Sequence, residues 1–98
     1  MLEKQIEKKV TDYAKSVGYI SFKFNSMSCR AVPDRLFITP YGFIIFIEFK
    51  RVGAQPTEKQ RLTIDKLRAQ GCLVFVVDNV DEGKEIVNWY RQTKRVGE

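Results

Sequence analysis

The chain contains no histidine. That absence removes Ser-His-Asp hydrolysis, Cys-His nucleophilic chemistry, histidine-ligated zinc and every histidine-dependent nuclease design. Cysteine is scarce too. Cys29 and Cys72 are far apart and lack metal-ligand spacing, so they read as two free thiols in a reducing compartment. No apolar stretch approaches the roughly 20 residues a membrane helix needs, and no signal-peptide pattern is visible. A cytoplasmic protein with no membrane partner is the expectation. Repeats, linkers and low-complexity segments are missing, so residues 1–98 read as a single domain. If the chain is an enzyme, carboxylates, lysine and a hard metal ion must carry its chemistry.

What is present is a basic globular sequence. Lys and Arg outnumber Asp and Glu by 17 to 12, a formal charge of +5, which suggests a polyanionic partner. Leu2, Ile6, Val10, Tyr13, Ala14 and Val17 form one helical stripe that Gly18 ends. From Tyr19 to Asn25, Ile20, Phe22 and Phe24 alternate with Ser21, Lys23 and Asn25, the pattern of a half-buried strand. Arg35 to Thr39 and Phe43 to Phe49 are strand-like runs separated by Pro40-Tyr41-Gly42, a turn signal.

A polar loop over 51–56 leads to Thr57, which opens a helix to about Gln70 with Gly71 as its C-cap. Cys72 to Val77 is a short apolar run that reads as a buried strand. Asp78 or Asn79 caps a last helix reaching about Gln92, and the tail over 93–98 is expected to fray. The order is α-β-β-β-α-β-α, an α/β class. The hairpin strands are apolar on both faces, so helices are expected to cover both sides of the sheet.

Into this hairpin the sequence places Asp34 after Pro33, and Glu48 and Lys50 around Phe49. Charges buried there cost several kcal/mol unless they are paired or bind something. If the loop holds Pro40, Tyr41 and Gly42, Thr39 faces Phe43 and Asp34 comes opposite Glu48. Opposed residues have Cβ atoms roughly 5 Å apart on one face of a sheet, and strand alternation puts Lys50 on that same face. A two-residue turn would shift the register and separate the acids. Under the three-residue loop, two carboxylates converge beside a lysine. A divalent cation removes their mutual repulsion, and the trio becomes apparatus for hydrolysing a phosphodiester.

Pro33-Asp34 followed by Glu48-Phe49-Lys50, within this element order, resembles the PD-(D/E)xK nuclease superfamily. The VRR-NUC family within it is the closer match. Its pattern is similar to Glu3, Phe24-Asn25-Ser26, Val32-Pro33-Asp34, Ile47-Glu48-Phe49-Lys50 and Thr57-Glu58-Lys59-Gln60. The resemblance spans residues 2–80. It implies a restriction-endonuclease-like αβββαβ core with a mixed sheet flanked by helices, here followed by a C-terminal helix.

It also implies a Mg²⁺- or Mn²⁺-dependent endodeoxyribonuclease, leaving a 5′-phosphate and a 3′-hydroxyl. Asp34, Glu48 and the backbone carbonyl of Phe49 would hold the metal, and Lys50 would orient the attacking water. Stand-alone minimal chains of the family resemble homodimers that resolve four-way (Holliday) junctions, which places the protein in a bacterial or phage-infected host cell. A nuclease acting on flaps, nicks or single strands is the enzymatic alternative, and a non-catalytic DNA-binding module on the same fold is the other.

Several residues keep two readings at this stage. Gln60 fits a capping box with Thr57, and also points inward with Ile64 and Leu67 toward Lys50. On a helical wheel Glu3 lies inside the apolar arc and Glu7 near its edge, so Glu3 is the candidate fourth catalytic acid. Lys23, Asn25, Ser26, Arg30 and Arg51 are candidate DNA contacts, with Lys59 and Arg61 as possible extensions of the basic surface, whereas Lys8-Lys9 reads as a solvated helix face. Trp89 and Tyr90 fit either a dimer interface or the core.

Overall fold

The computed structural model describes residues 1–94; the expected fraying over 95–98 lies outside the described residues. Helix α1 (Glu3–Ser16) precedes strands β1 (Ile20–Lys23), β2 (Arg35–Ile38) and β3 (Ile44–Phe49). Helix α2 (Glu58–Ala69), strand β4 (Leu73–Val77) and helix α3 (Val80–Tyr90) follow. The four strands form one sheet in the order β1-β2-β3-β4. The first two pairings are antiparallel, and β4 joins β3 in parallel after the α2 crossover. This is the expected α/β order with a mixed sheet.

The hairpin turn sets the register on which the site depends. Gly42 takes φ +85°, a conformation glycine adopts without steric cost. Its N–H donates to the Thr39 carbonyl at 2.9 Å, and the Thr39 N–H donates to the Phe43 carbonyl at 2.8 Å. The loop therefore holds three residues. Ile38 pairs with Ile44 and Arg35 with Ile47, so the next rung sets Asp34 opposite Glu48.

Strand alternation gives the sheet two unlike faces. On one, Phe37, Ile45, Ile47, Phe49 and Val77 pack against Ile6, Val10 and Ala14 of α1 and Val87 of α3. The two helices touch where α3 has no side chain: a Cβ on Gly83 would lie 2.5 Å from Val10 Cγ2. Tyr19 Oη donates to the Val87 carbonyl at 2.8 Å, and Tyr13 Oη to Asn88 Oδ1 at 2.6 Å, tying both helices to one core.

The other face has one helix. Ile64 of α2 and Val74 of β4 are buried, but Ile20, Phe22 and Ile44 remain 55%, 56% and 50% exposed. Helices do lie on both faces, as expected, but α2 covers only part of the second, so the expectation that β1 is half-buried through Ile20 and Phe22 is corrected here. A helix about 10 Å wide covers roughly two strands spaced about 4.8 Å apart, and α2 lies on the β4 side. Of the alternating residues Ile20, Phe22 and Phe24, only Phe24, just beyond β1, keeps cover, with its ring 5.4 Å from that of Phe46. On α3, Tyr90 packs on Phe75 at 5.7 Å while Trp89 is 74% exposed. Among the described residues, no helix is long and apolar enough to cross a membrane.

Candidate active site

The site forms where the hairpin opens, on the face that α2 partly covers. Asp34 enters β2 behind the buried ring of Pro33 and is held at two points. Its Oδ2 accepts the Phe49 N–H at 2.8 Å, and its carbonyl accepts the Phe24 N–H at 2.9 Å. Glu48, on β3, is only 2% exposed. Its Oε2 lies 3.4 Å from Lys50 Nζ and accepts Gln60 Nε2 at 3.1 Å. Lys50 Nζ donates in turn to Gln60 Oε1 at 2.7 Å.

Gln60 fulfils both of its readings at once. Thr57 Oγ1 accepts the Gln60 N–H at 3.2 Å, and Gln60 Oε1 accepts the Thr57 N–H at 3.0 Å, which is a reciprocal capping box. The same Oε1 takes Lys50, while Nε2 holds Glu48. The N-terminal turn of α2 is thereby joined to the acid and the lysine.

One atom in this network has no partner. Glu48 Oε1 is buried without a hydrogen bond, although buried polar atoms are almost always satisfied. Burial, reinforced by the charge of Asp34 and opposed by Lys50, pushes the Glu48 carboxyl up to about 7. Asp34 is raised as well. Burial is the main cause, the Phe49 N–H pulls the other way, and the charges of Glu3 and Glu7 add to the rise.

Two opposed carboxylates that resist ionisation together, one with an orphaned oxygen, fit a small hard cation. Among the described residues no three Asp, Glu, Cys or His side chains cluster as a metal site. Mg²⁺ needs fewer, since it keeps several waters and binds through one or two carboxylates plus phosphate oxygens.

Two grooves meet at Asp34. One, of about 450 Å³, is lined by Lys23, Asn25, Ser26, Arg30 and Asp34, among others. The second, of about 550 Å³, runs along α1 past Glu3, Lys4, Glu7 and Lys8. Lys23 and Asp34 line both. Four of the five candidate DNA contacts thus share one groove. Arg51 does not, and lies instead beside Leu2, Glu3 and Lys4. Lys59 faces a third hollow with Cys29 and Arg30. Arg61 pairs at 3.6 Å with Asp65, on α2 itself.

The wheel reading of α1 is reversed. Glu3 is exposed, although its charge still reaches Asp34 and Glu48. Glu7 is the buried acid, at 7% exposure, with Oε2 2.6 Å from Arg35 Nε and 2.8 Å from Lys23 Nζ. Burial opposes its ionisation, but the hydrogen bonds and charges of Lys23 and Arg35 outweigh it and hold the carboxyl below its ordinary range. Glu3 begins the helix, whereas Glu7 lies one turn further in, over the ends of β1 and β2. The signal was in the strand: Arg35 shares the core-facing side with Phe37, and a cation there requires an acid above it. Lys8 lines the α1 groove while pairing at 2.7 Å with Asp12.

No family model matches the sequence. Individual proteins do. "Putative nuclease p44" of Acyrthosiphon pisum secondary endosymbiont phage 1 is 42% identical over 79 residues, covering 81% of this chain and 85% of that protein. A solved structure described as a VRR_NUC domain matches with a TM-score of 0.82 at 26% identity. That match covers 90% of this chain and 96% of the other. Sequence and fold agree across nearly the whole described chain: it belongs to the VRR-NUC family of nucleases.

Proposed function

We infer that this chain is a divalent-metal-dependent endodeoxyribonuclease that cuts branched DNA as a homodimer. The observation that carries the chemistry is the buried, unpartnered Glu48 Oε1 beside Asp34, with Lys50 fixed on the same face. Asp34, Glu48 and the Phe49 carbonyl are the residues that would hold Mg²⁺ or Mn²⁺. When bound, the ion neutralises the phosphate and acidifies a water. Lys50, held by Gln60 and Glu48, presents its remaining N–H donor to the attacking water and to charge developing on the phosphate. Lys23 and Arg30 offer cations to the phosphates on either side, which position the strand without reading its sequence.

The homodimer rests on surface and symmetry. A domain of this size offers little area for DNA, and the bare strip of Ile20, Phe22 and Ile44 gives a second copy an apolar seat. Two active sites across a twofold axis match the pseudo-symmetry of a four-way junction.

The test is cleavage of a labelled four-way junction in Mg²⁺ or Mn²⁺, with linear duplex and flap controls. Paired symmetric cuts are expected from the wild type. Asp34→Asn and Lys50→Ala should each lose at least about 10²-fold in rate while still binding the junction. Cutting of flaps or single strands alone would replace the substrate assignment and the dimer. Binding without cutting in either metal would overturn the enzymatic reading.

A further inference from the structure

We propose that Met27 is a wedge that enters the base stack next to the phosphodiester being cut, so that the enzyme selects DNA whose stacking is already broken or readily opened. The proposal rests on the nuclease reading above and adds what determines the substrate at that site. A single exposed apolar side chain needs no explanation by itself; the position of this one does. Met27 is fully exposed, the most exposed of the large apolar side chains among the described residues. It lines the same groove of about 450 Å³ as Asp34, with Lys23, Asn25, Ser26 and Arg30 around it. Met27 and Asp34 line one groove, so a strand whose phosphate sits at Asp34 runs past Met27, and successive bases stack at intervals of only about 3.4 Å along the duplex axis.

The segment that presents Met27 is anchored at both ends. Ser26 Oγ accepts the Cys29 N–H at 3.1 Å and lies 3.2 Å from Ser28 Oγ, bracketing Met27. Phe24 is fixed by its ring contact with Phe46 and by its N–H bond to the Asp34 carbonyl, so wedge and acid are linked through one short piece of backbone. Chemistry selects nucleic acid as the occupant. From Phe24 to Pro33 there is no acidic residue, while Arg30 and Lys23, the latter also paired with Glu7, line the groove beside the tip. Methionine between base steps, with cations on the neighbouring phosphates, is a recognised way to unstack and kink a duplex. An unbranched methionine also adapts to irregular gaps at a branch point or nick.

The experiment uses 2-aminopurine, a base that fluoresces when unstacked, placed in the step beside the mapped cut in a junction and in a continuous duplex. Binding is measured in Ca²⁺ and cleavage separately in Mg²⁺. Wild type and Met27→Leu should raise the fluorescence several-fold on binding; Met27→Ser should abolish the rise. Met27→Ser should also cut the stacked step at least about 10-fold more slowly, yet cut normally when a mismatch has already opened that step. Equal fluorescence from wild type and Met27→Ser would overturn the wedge, as would an equal loss of cutting on stacked and mismatched substrates. A fluorescence rise that depends on Met27, without cleavage of any substrate, would uphold the wedge and sink the nuclease reading.

Discussion

The two faces of the sheet carry the same kinds of strand and meet different fates. Under α1 and α3, apolar side chains from three strands close into a core around Phe37, Ile45, Ile47, Phe49 and Val77. Under α2 the cover stops halfway, and the boundary is where Asp34, Glu48, Lys50 and Gln60 converge. One face is arranged for stability and the other holds groups that work against it: an orphaned carboxylate oxygen, two raised acids and an exposed apolar strip. A small domain can carry such a candidate site because the opposite face is sealed.

The contrast is tested most severely by phenylalanine. Phe37→Ala, within the core, should cost about 3–5 kcal/mol, enough to leave much of so small a domain unfolded. Phe22→Ala, on the bare strip, should cost well under about 1 kcal/mol, since little burial is lost. Urea unfolding of both variants measures the gap; equal costs would mean that the strip is covered in the isolated protein.

Smaller, and opposite in sign, is the effect of the site on stability. Glu48 ionises near 4.5 when unfolded and near 7 when folded. The folded state therefore holds this proton more tightly. The stability it contributes is fully present below pH 4.5 and is lost as pH rises through about 7. Without metal, Glu48→Gln should be more stable than wild type at pH 8 by on the order of 3 kcal/mol. The difference should shrink toward zero near pH 4.5, while cleavage is lost throughout. A difference that does not change with pH would remove the buried charge from the account.

The smallest effect lies in the helix pair. Gly83→Ala forces a methyl to within 2.5 Å of Val10 Cγ2. Overpacking of this kind costs about 1–3 kcal/mol, and better helix propensity returns up to about 1. A net loss near 1 kcal/mol should lower the melting midpoint by about 4–8 °C, with cleavage at 25 °C unchanged. A midpoint equal to or above that of wild type would mean that α1 and α3 have room to part.

The hairpin register was legible only in part: Pro40-Tyr41-Gly42 marks the turn, but a three-residue and a two-residue loop both fit the sequence, and the hydrogen bonds of Thr39 and Gly42 decide for three. The meeting of Asp34, Glu48 and Lys50 follows from that register and strand alternation alone. The coverage of β1 was not legible. Alternation identifies an apolar face, and whether a helix reaches it depends on where α2 crosses, which is a tertiary fact. Glu7 was misplaced because a wheel centred on apolar residues ignores a partner such as Arg35 rising from the sheet. Met27 carried no signal at all, since an isolated methionine in a polar segment has no periodicity to place it.

One consequence remains in the double duty of Gln60. A capping box accepts glutamate as readily as glutamine, so capping α2 does not explain the amide. Its oxygen must accept from both the Thr57 N–H and Lys50, and its nitrogen must donate a hydrogen bond to Glu48. Glutamate would satisfy the first two demands and set a third negative charge against a carboxylate already reluctant to ionise. The amide acts as a coincidence detector. Fraying of the first turn of α2 would therefore take one hydrogen bond from Lys50 and one from Glu48 at the same moment.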